Sequence, residues 1–281
     1  MCELFGMSCR RPADVNLSLA ALSARGGGLG PHKDGWGIAY FSGHDVRIFR
    51  DTIPAHTSPM VNFLAENGVR STVVIAHIRK ASVGEVALCN TQPFDRELWG
   101  RRHVFAHNGD LEGVDTLLNL GSRFRPIGQT DSERAFMAIM QEIEAIGDEE
   151  GELELLLERL TPLFVTLRDM GPANLIYSDG DILIAHADIR TQEDGERRAP
   201  GLHLLQRRCD PTVKMACEGV SFAVPVLGEQ GPKRPKGEPL SLHQEVVLVA
   251  SVPLSDEHWI PMQRGEILVA QAGRIVRQFV G

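Results

Sequence analysis

Two short stretches constrain the fold more than anything else in the chain. NLIYS-DG-DILIAHA (174–187) and GEILVAQ-AG-RIVRQFV (265–280) each set apolar runs on either side of a two-residue turn. A connection that short joins only antiparallel neighbours, and Asp-Gly suits the positive φ angles of such turns. Four further apolar runs, rich in Val, Ile, Leu and Ala and bounded by turn formers, read as buried strands: WGIAYF (36–41), STVVIAHI (71–78), HVFAH (103–107) and EVVLVAS (245–251). Helical periodicity falls at 14–24, 59–67, 112–120, 131–146 and 149–169. Thr130 or Asp131 can cap the fourth of these, with Glu133 reinforcing its first turn. Pro162 is predicted to kink the fifth or to start a new turn in it. Strands, then a helical pair, then more strands is not a βαβα alternation. It predicts an α+β fold with antiparallel sheets and helices as outer layers. The charged Gly/Pro-rich stretches 191–201 and 228–239 read as surface insertions, so residues 2–281 are expected to form one domain.

Charge and cysteines exclude several functions. With 29 Lys and Arg against 37 Asp and Glu, the formal charge is -8. No basic stripe offsets it, and GPKRPKGEP (231–239) is broken by Pro and Gly, so no nucleic-acid partner is expected. There is no apolar run of membrane-spanning length, and acidic Glu3 and Arg10-Arg11 do not suit a signal peptide. A cytoplasmic protein is expected, with Cys2, Cys9, Cys89, Cys209 and Cys217 reduced. No C-x-x-C occurs, and the histidines lack a third ligand at fitting spacing, so neither a metal nor a cofactor is expected.

Five stretches carry polar residues beside predicted strands. Cys2 follows Met1 directly, and removal of Met1 would set its thiol beside a free α-amine. That amine has a reference pKa of about 7.7–8.0, so one residue would supply both nucleophile and base. RGGGLG (25–30) fits neither dinucleotide nor Walker spacing and reads as a tight turn. Arg79 ends an apolar strand, where an arginine either snorkels to solvent or forks onto a carboxylate. Asn108-Gly109 is either a plain turn or an oxyanion hole, an amide side chain beside a backbone N–H. Asp131 is an N-cap or a partner for an ammonium group. His32, in PHKDGWG, reads as a supporting residue.

Taken in order, Cys2, H-x-D-G-W-G (32–37), an R-x-x-S strand end (79–82), N-T-x-P-F (90–94), H-N-G (107–109) and a T-D-S-E helix start (130–133) resemble the class II glutamine amidotransferases. The likeness is closest to the stand-alone YafJ-type members, which begin M-C-E-L and carry R-G-G-G-x-G-P-H-K-D-G-W-G. The motifs cover residues 2 to about 135, and VASVPLSDEHWIPMQRGEIL extends the likeness to the C-terminus. Gln92 stands where that subgroup more often has His.

The resemblance implies an N-terminal-nucleophile hydrolase fold, a four-layer αββα sandwich of two antiparallel sheets. It implies Cys2 as nucleophile, Asn108 and Gly109 as oxyanion hole, and Arg79 and Asp131 as holders of the glutamine α-carboxylate and α-ammonium. Trp36 and Gly37 would build the pocket wall, and Arg25 would steady the cysteine. The implied reaction is glutamine hydrolysis to glutamate and ammonia through a γ-glutamyl thioester. The ammonia is either released or passed to a separate synthase subunit. Another γ-glutamyl amide or peptide as substrate, and a non-catalytic glutamine-binding scaffold, are the alternatives.

Overall fold

The computed structural model describes residues 2–118, 122–147, 153–209, 221–222 and 243–281. The chain runs β1 (Glu3–Asp14), α1 (Asn16–Arg25), β2 (Trp36–Ser42), β3 (Asp45–Asp51), α2 (Pro59–Asn67) and β4 (Ser71–Ile78). It continues through β5 (Phe94–Leu98), β6 (Arg101–Asn108), α3 (Asp131–Ile146), α4 (Leu153–Met170), β7 (Asn174–Ser178) and β8 (Ile182–His186). The last part holds β9 (Arg190–Thr191), β10 (Arg197–Arg198), β11 (His203–Cys209) and β12 (Ser221–Phe222). It closes with β13 (Gln244–Ala250), β14 (Ile260–Pro261), β15 (Glu266–Gln271) and β16 (Arg274–Val280).

Both expected hairpins form. β15 and β16 pair antiparallel up to Gln271 opposite Arg274, and the turn residues Ala272 and Gly273 take φ of 49° and 76°. That is the doubly positive turn that follows the strand twist. β7 and β8 also pair antiparallel, but the connection is one residue longer than the expected Asp-Gly. Asp179 explains the difference, since its Oδ1 accepts from the N–H groups of Asp181 and Ile182 and so extends the turn.

The strands gather into two sheets. One follows the order β14-β11-β13-β1-β4-β2-β3, with β12 on β1, and the other β16-β15-β8-β7-β6-β5. Every strand pairing among the described residues is antiparallel. Leu4, Ile75 and Val249 of the first sheet meet Ala106, Ile176 and Leu268 of the second in a buried middle layer. The outer face of the first sheet packs Met7, Val74 and Leu248 against Leu19 and Leu22 of α1 and Leu64 of α2. The outer face of the second packs Phe105 and Leu175 against Phe136 of α3 and Phe164 of α4. The architecture is therefore the αββα sandwich, with one apolar layer between the sheets and one beneath each helical pair.

Three expectations are corrected. Of the segment 112–120, the described residues 112–118 form no α-helix, and Val114–Leu117 make a short 3-10 turn. Gly113 sits there at φ 76°, left-handed, and breaks the pattern of leucines. Pro162 starts no new element, for one helix runs through it from Leu153 to Met170. The helix expected from residue 14 begins at Asn16, because β1 extends through Asp14. Segment 191–201 is a largely exposed hairpin excursion, β9 with β10, as expected of an insertion. Segment 228–239 and Cys217 lie outside the described residues. No helix among the described residues is long and apolar enough to cross a membrane.

Candidate active site

Strand register assembles the site. Glu3 of β1 lies opposite Ile78 of β4, so Cys2 meets the residues that follow Ile78. The Cys2 thiol donates to the Lys80 carbonyl at 3.4 Å, and the Lys80 N–H donates to the sulfur at 3.3 Å. From the other sheet, β6 ends at Asn108, whose Nδ2 donates to the Cys2 carbonyl at 2.6 Å. A small, solvent-open cavity lies at this end of the sandwich. Cys2, Arg79, Gly109 and Asp131 line it, together with Gln92 and His107.

The cations and anions of the cavity are held from behind. Arg79 is 3% exposed, and its NH2 donates to the carbonyls of Val83 and Gly84 at 3.1 and 3.2 Å. Asp131 opens α3, but the cap is Thr130, whose Oγ1 accepts from the Glu133 N–H at 3.2 Å. Asp131 is instead tied by Oδ2 to the Leu111 N–H at 2.7 Å. Glu133 reaches back past the helix start and accepts from the N–H groups of Ile127 and Gly128 and from Arg96. It thereby anchors the chain leading into Asp131.

Gly109 is required by its surroundings. A Cβ there would stand 1.6 Å from the Pro172 carbonyl oxygen and 2.7 Å from His107 Nε2. The His107 ring is fixed at both ends, with Nε2 3.1 Å from the Pro172 carbonyl and Nδ1 2.9 Å from Ser132 Oγ. The carbonyl demands an N–H at Nε2, and in the neutral ring Nδ1 then accepts from the Ser132 hydroxyl. Burial also pushes the His107 pKa below its ordinary value. Burial raises the Cys2 thiol to about 11, against the Lys80 N–H and the Arg79 charge, which pull it down. At neutral pH the sulfur is therefore a thiol, and attack by it needs a base to take its proton.

Arg25 and His32 converge on Glu3, the residue after the cysteine, which is fully buried. Arg25 Nε and NH2 donate to Glu3 Oε1 at 3.2 and 3.1 Å, and His32 Nε2 lies 3.8 Å from the same oxygen. Arg190 adds a second guanidinium, with NH2 3.3 Å from Glu3 Oε1 and NH1 donating to the Ser251 carbonyl at 2.7 Å. Ser251 Oγ in turn accepts from the Leu4 N–H at 2.9 Å and faces Asn108 Nδ2 at 3.5 Å. Glu3, Arg190 and Ser251 were not singled out from the sequence. Glu3 stands in the M-C-E-L start and Ser251 in the VASVPLS stretch, neither of which names a partner, and Arg190 lies in no motif.

Trp36 and Gly37 are placed differently from the expectation. Trp36 is buried beneath the helices of the first sheet and does not line the cavity. Alternation along β2 turns its side chain away from the second sheet. Gly37 does not line the cavity either, and serves it indirectly. A Cβ at Gly37 would lie 2.2 Å from the Gln92 carbonyl oxygen, so its bareness admits the segment that carries Gln92. Among the described residues no three of His, Cys, Asp or Glu gather in metal-binding reach.

The arrangement offers a thiol, amide donors, a cation and an anion around one cavity. A family model described as glutamine amidotransferases class-II matches residues 1–280. YafJ of Escherichia coli (strain K12) is 36% identical over 268 residues, covering 95% of this chain and 96% of that protein. A 2.0 Å crystal structure of a predicted glutamine amidotransferase from Pseudomonas aeruginosa PA01 superposes with a TM-score of 0.66 at 32% identity, over 98% of this chain and all of that one. The glutamine phosphoribosylpyrophosphate amidotransferase of B. subtilis superposes with a TM-score of 0.57 at 16% identity, over 99% of this chain and 49% of that chain. At that identity the likeness concerns the fold, the N-terminal-nucleophile sandwich.

Proposed function

Since the chain belongs to the class II glutamine amidotransferases, we propose that it hydrolyses the side-chain amide of glutamine, with Cys2 as nucleophile once Met1 has been removed. The α-amine so freed takes the thiol proton as sulfur attacks the amide carbon. The oxygen of the tetrahedral intermediate is held by Asn108 Nδ2 and the Gly109 N–H. One such donor is typically worth about 10²–10³ in rate. The protonated amine returns its proton to the departing nitrogen, and ammonia leaves a γ-glutamyl thioester on Cys2. Water, deprotonated by the same amine, then releases glutamate. Arg79 takes the substrate α-carboxylate and Asp131 its α-ammonium, so amides lacking either charge leave a buried ion unmatched. The ammonia goes to solvent or to an accepting synthase on a separate chain in the cytoplasm.

The observation that supports this reading is the convergence of Cys2, Arg79, Gly109 and Asp131 on one cavity, with Asn108 bonded to the Cys2 carbonyl. The test is ammonia release from glutamine and from a panel of γ-glutamyl amides and peptides, by wild type and Cys2→Ala. Glutamine turnover lost in Cys2→Ala is expected. Turnover surviving in Cys2→Ala, or a strong preference for a γ-glutamyl peptide, would overturn it.

A further inference from the structure

We propose that Gln92 is a positioning residue of the oxyanion hole, its side-chain amide replacing a missing strand partner of His107. The inference rests on the chemistry proposed above for Asn108 and Gly109. β5 pairs with β6 from Phe94 opposite Phe105, and continuing the register brings residue 92 opposite residue 107. The backbone ladder stops there, for β5 begins at Phe94 and the residues before it leave the sheet at the cavity edge. His107 would then face that edge with an unpaired N–H and C=O, at the position just before Asn108. The Gln92 amide supplies both partners. Its Oε1 accepts from the His107 N–H at 2.6 Å, and its Nε2 donates to the His107 carbonyl at 3.1 Å. These are the two bonds that an opposed strand residue would exchange with it.

Placement supports the assignment. Gln92 is 4% exposed, and Gly37 leaves the space its backbone needs. On the far side His107 is paired with Leu175 of β7, and its ring is held by Ser132 and Pro172. With Gln92 in place His107 is held through its backbone on one side and through its ring by Ser132 and Pro172, which sets the direction in which Asn108 and Gly109 leave the sheet. A continued backbone strand would make the same bonds but would occupy the edge of the cavity that Gln92 lines.

The test uses Gln92→Met, similar in length without the amide, and Gln92→Asn, one methylene too short to reach. Turnover of glutamine is measured beside inhibition by glutamate γ-semialdehyde. The Cys2 sulfur adds to the aldehyde carbon of that compound, and the thiol proton ends on the new oxygen, which occupies the oxyanion hole. The expected result is kcat down about 10–10²-fold with KM for glutamine within about threefold. Affinity for the aldehyde should fall by the same factor as kcat, because both report the tetrahedral geometry. Unchanged kcat in both variants would overturn the proposal. So would a rise in KM matched by aldehyde affinity with kcat preserved, which would make Gln92 a substrate contact. Failure of both variants to fold, read by circular dichroism, would make it purely structural and the proposal wrong. A wild type that neither turns over glutamine nor binds the aldehyde would instead remove the proposed function itself.

Discussion

Replacing Gly109 by Ala should cost both turnover and stability. The added Cβ stands 1.6 Å from the Pro172 carbonyl oxygen, and atoms of this kind do not approach within 3.0 Å, so a separation of about 1.4 Å must open between two backbones. Such a shift breaks the 3.1 Å bond between His107 Nε2 and Pro172. An overpacked site costs about 1–3 kcal/mol, and the orphaned ring N–H about 1–3 more. The same shift moves the Gly109 N–H by about an ångström from where the oxyanion forms, which costs about 10²-fold in rate, and up to about 10³ if the donor is lost outright. The assay is kcat for ammonia release at saturating glutamine, with urea unfolding run in parallel. Leu160→Ala is the comparison, a fully buried α4 residue beneath the second sheet and outside the cavity lining. It should lose about 2–5 kcal/mol of stability and almost no kcat. If Gly109→Ala keeps kcat within about threefold, or Leu160→Ala loses as much, the oxyanion role assigned to Gly109 is wrong.

Three other outcomes are expected. Asp131→Asn keeps an oxygen for the Leu111 N–H but loses the charge, so KM for glutamine should rise about 10–10²-fold with kcat nearly kept. A glutamine analogue lacking the α-amine should bind both forms equally, and discrimination retained by the variant would refute the assignment. Glu3→Gln leaves Arg25 and Arg190 facing a neutral amide in a buried site, and should cost about 3–5 kcal/mol in urea unfolding. Burial holds His77 down to about 3 and His186 down to about 4, while an unfolded histidine takes its proton near 6.5. The unfolded chain then binds more protons, so stability is full above about pH 6.5 and falls with pH until the folded values are reached. At pH 5 each should have cost about 2 kcal/mol, and equal stability at pH 7 and pH 5 would contradict this.

The sequence made the doubly buried strands visible and hid the others for identifiable reasons. STVVIAHI and WGIAYF announce themselves by composition, and they form β4 and β2 almost residue for residue. β1 is the longest strand, yet its Gly6, Ser8 and RRP segment dilute the apolar signal. Gly6 is small because β1 there faces Ile176 and Leu183 of the other sheet, a cause that only the assembled sandwich reveals. DVRIFRD lies at a sheet edge as β3, half exposed, and so carries no strong pattern. At the candidate site, Arg79, Asn108, Gly109 and Asp131 were legible at strand ends or a helix start, and Cys2 by its place behind Met1. Trp36 shares their motif neighbourhood but points to the helical layer, since adjacent strand residues face opposite ways. Glu3, Gln92, Arg190 and Ser251 acquire meaning only through contacts between distant parts of the chain, which no local pattern encodes.

The central claim is that Cys2 becomes the terminal residue and carries the substrate's γ-glutamyl group. The direct measurement is intact and peptide-level mass of the protein, acid-quenched during steady turnover of glutamine. The account predicts a chain without Met1 bearing one γ-glutamyl group on Cys2, absent from Cys2→Ala. Full activity in a preparation that retains Met1, or an adduct on any other residue, would contradict it.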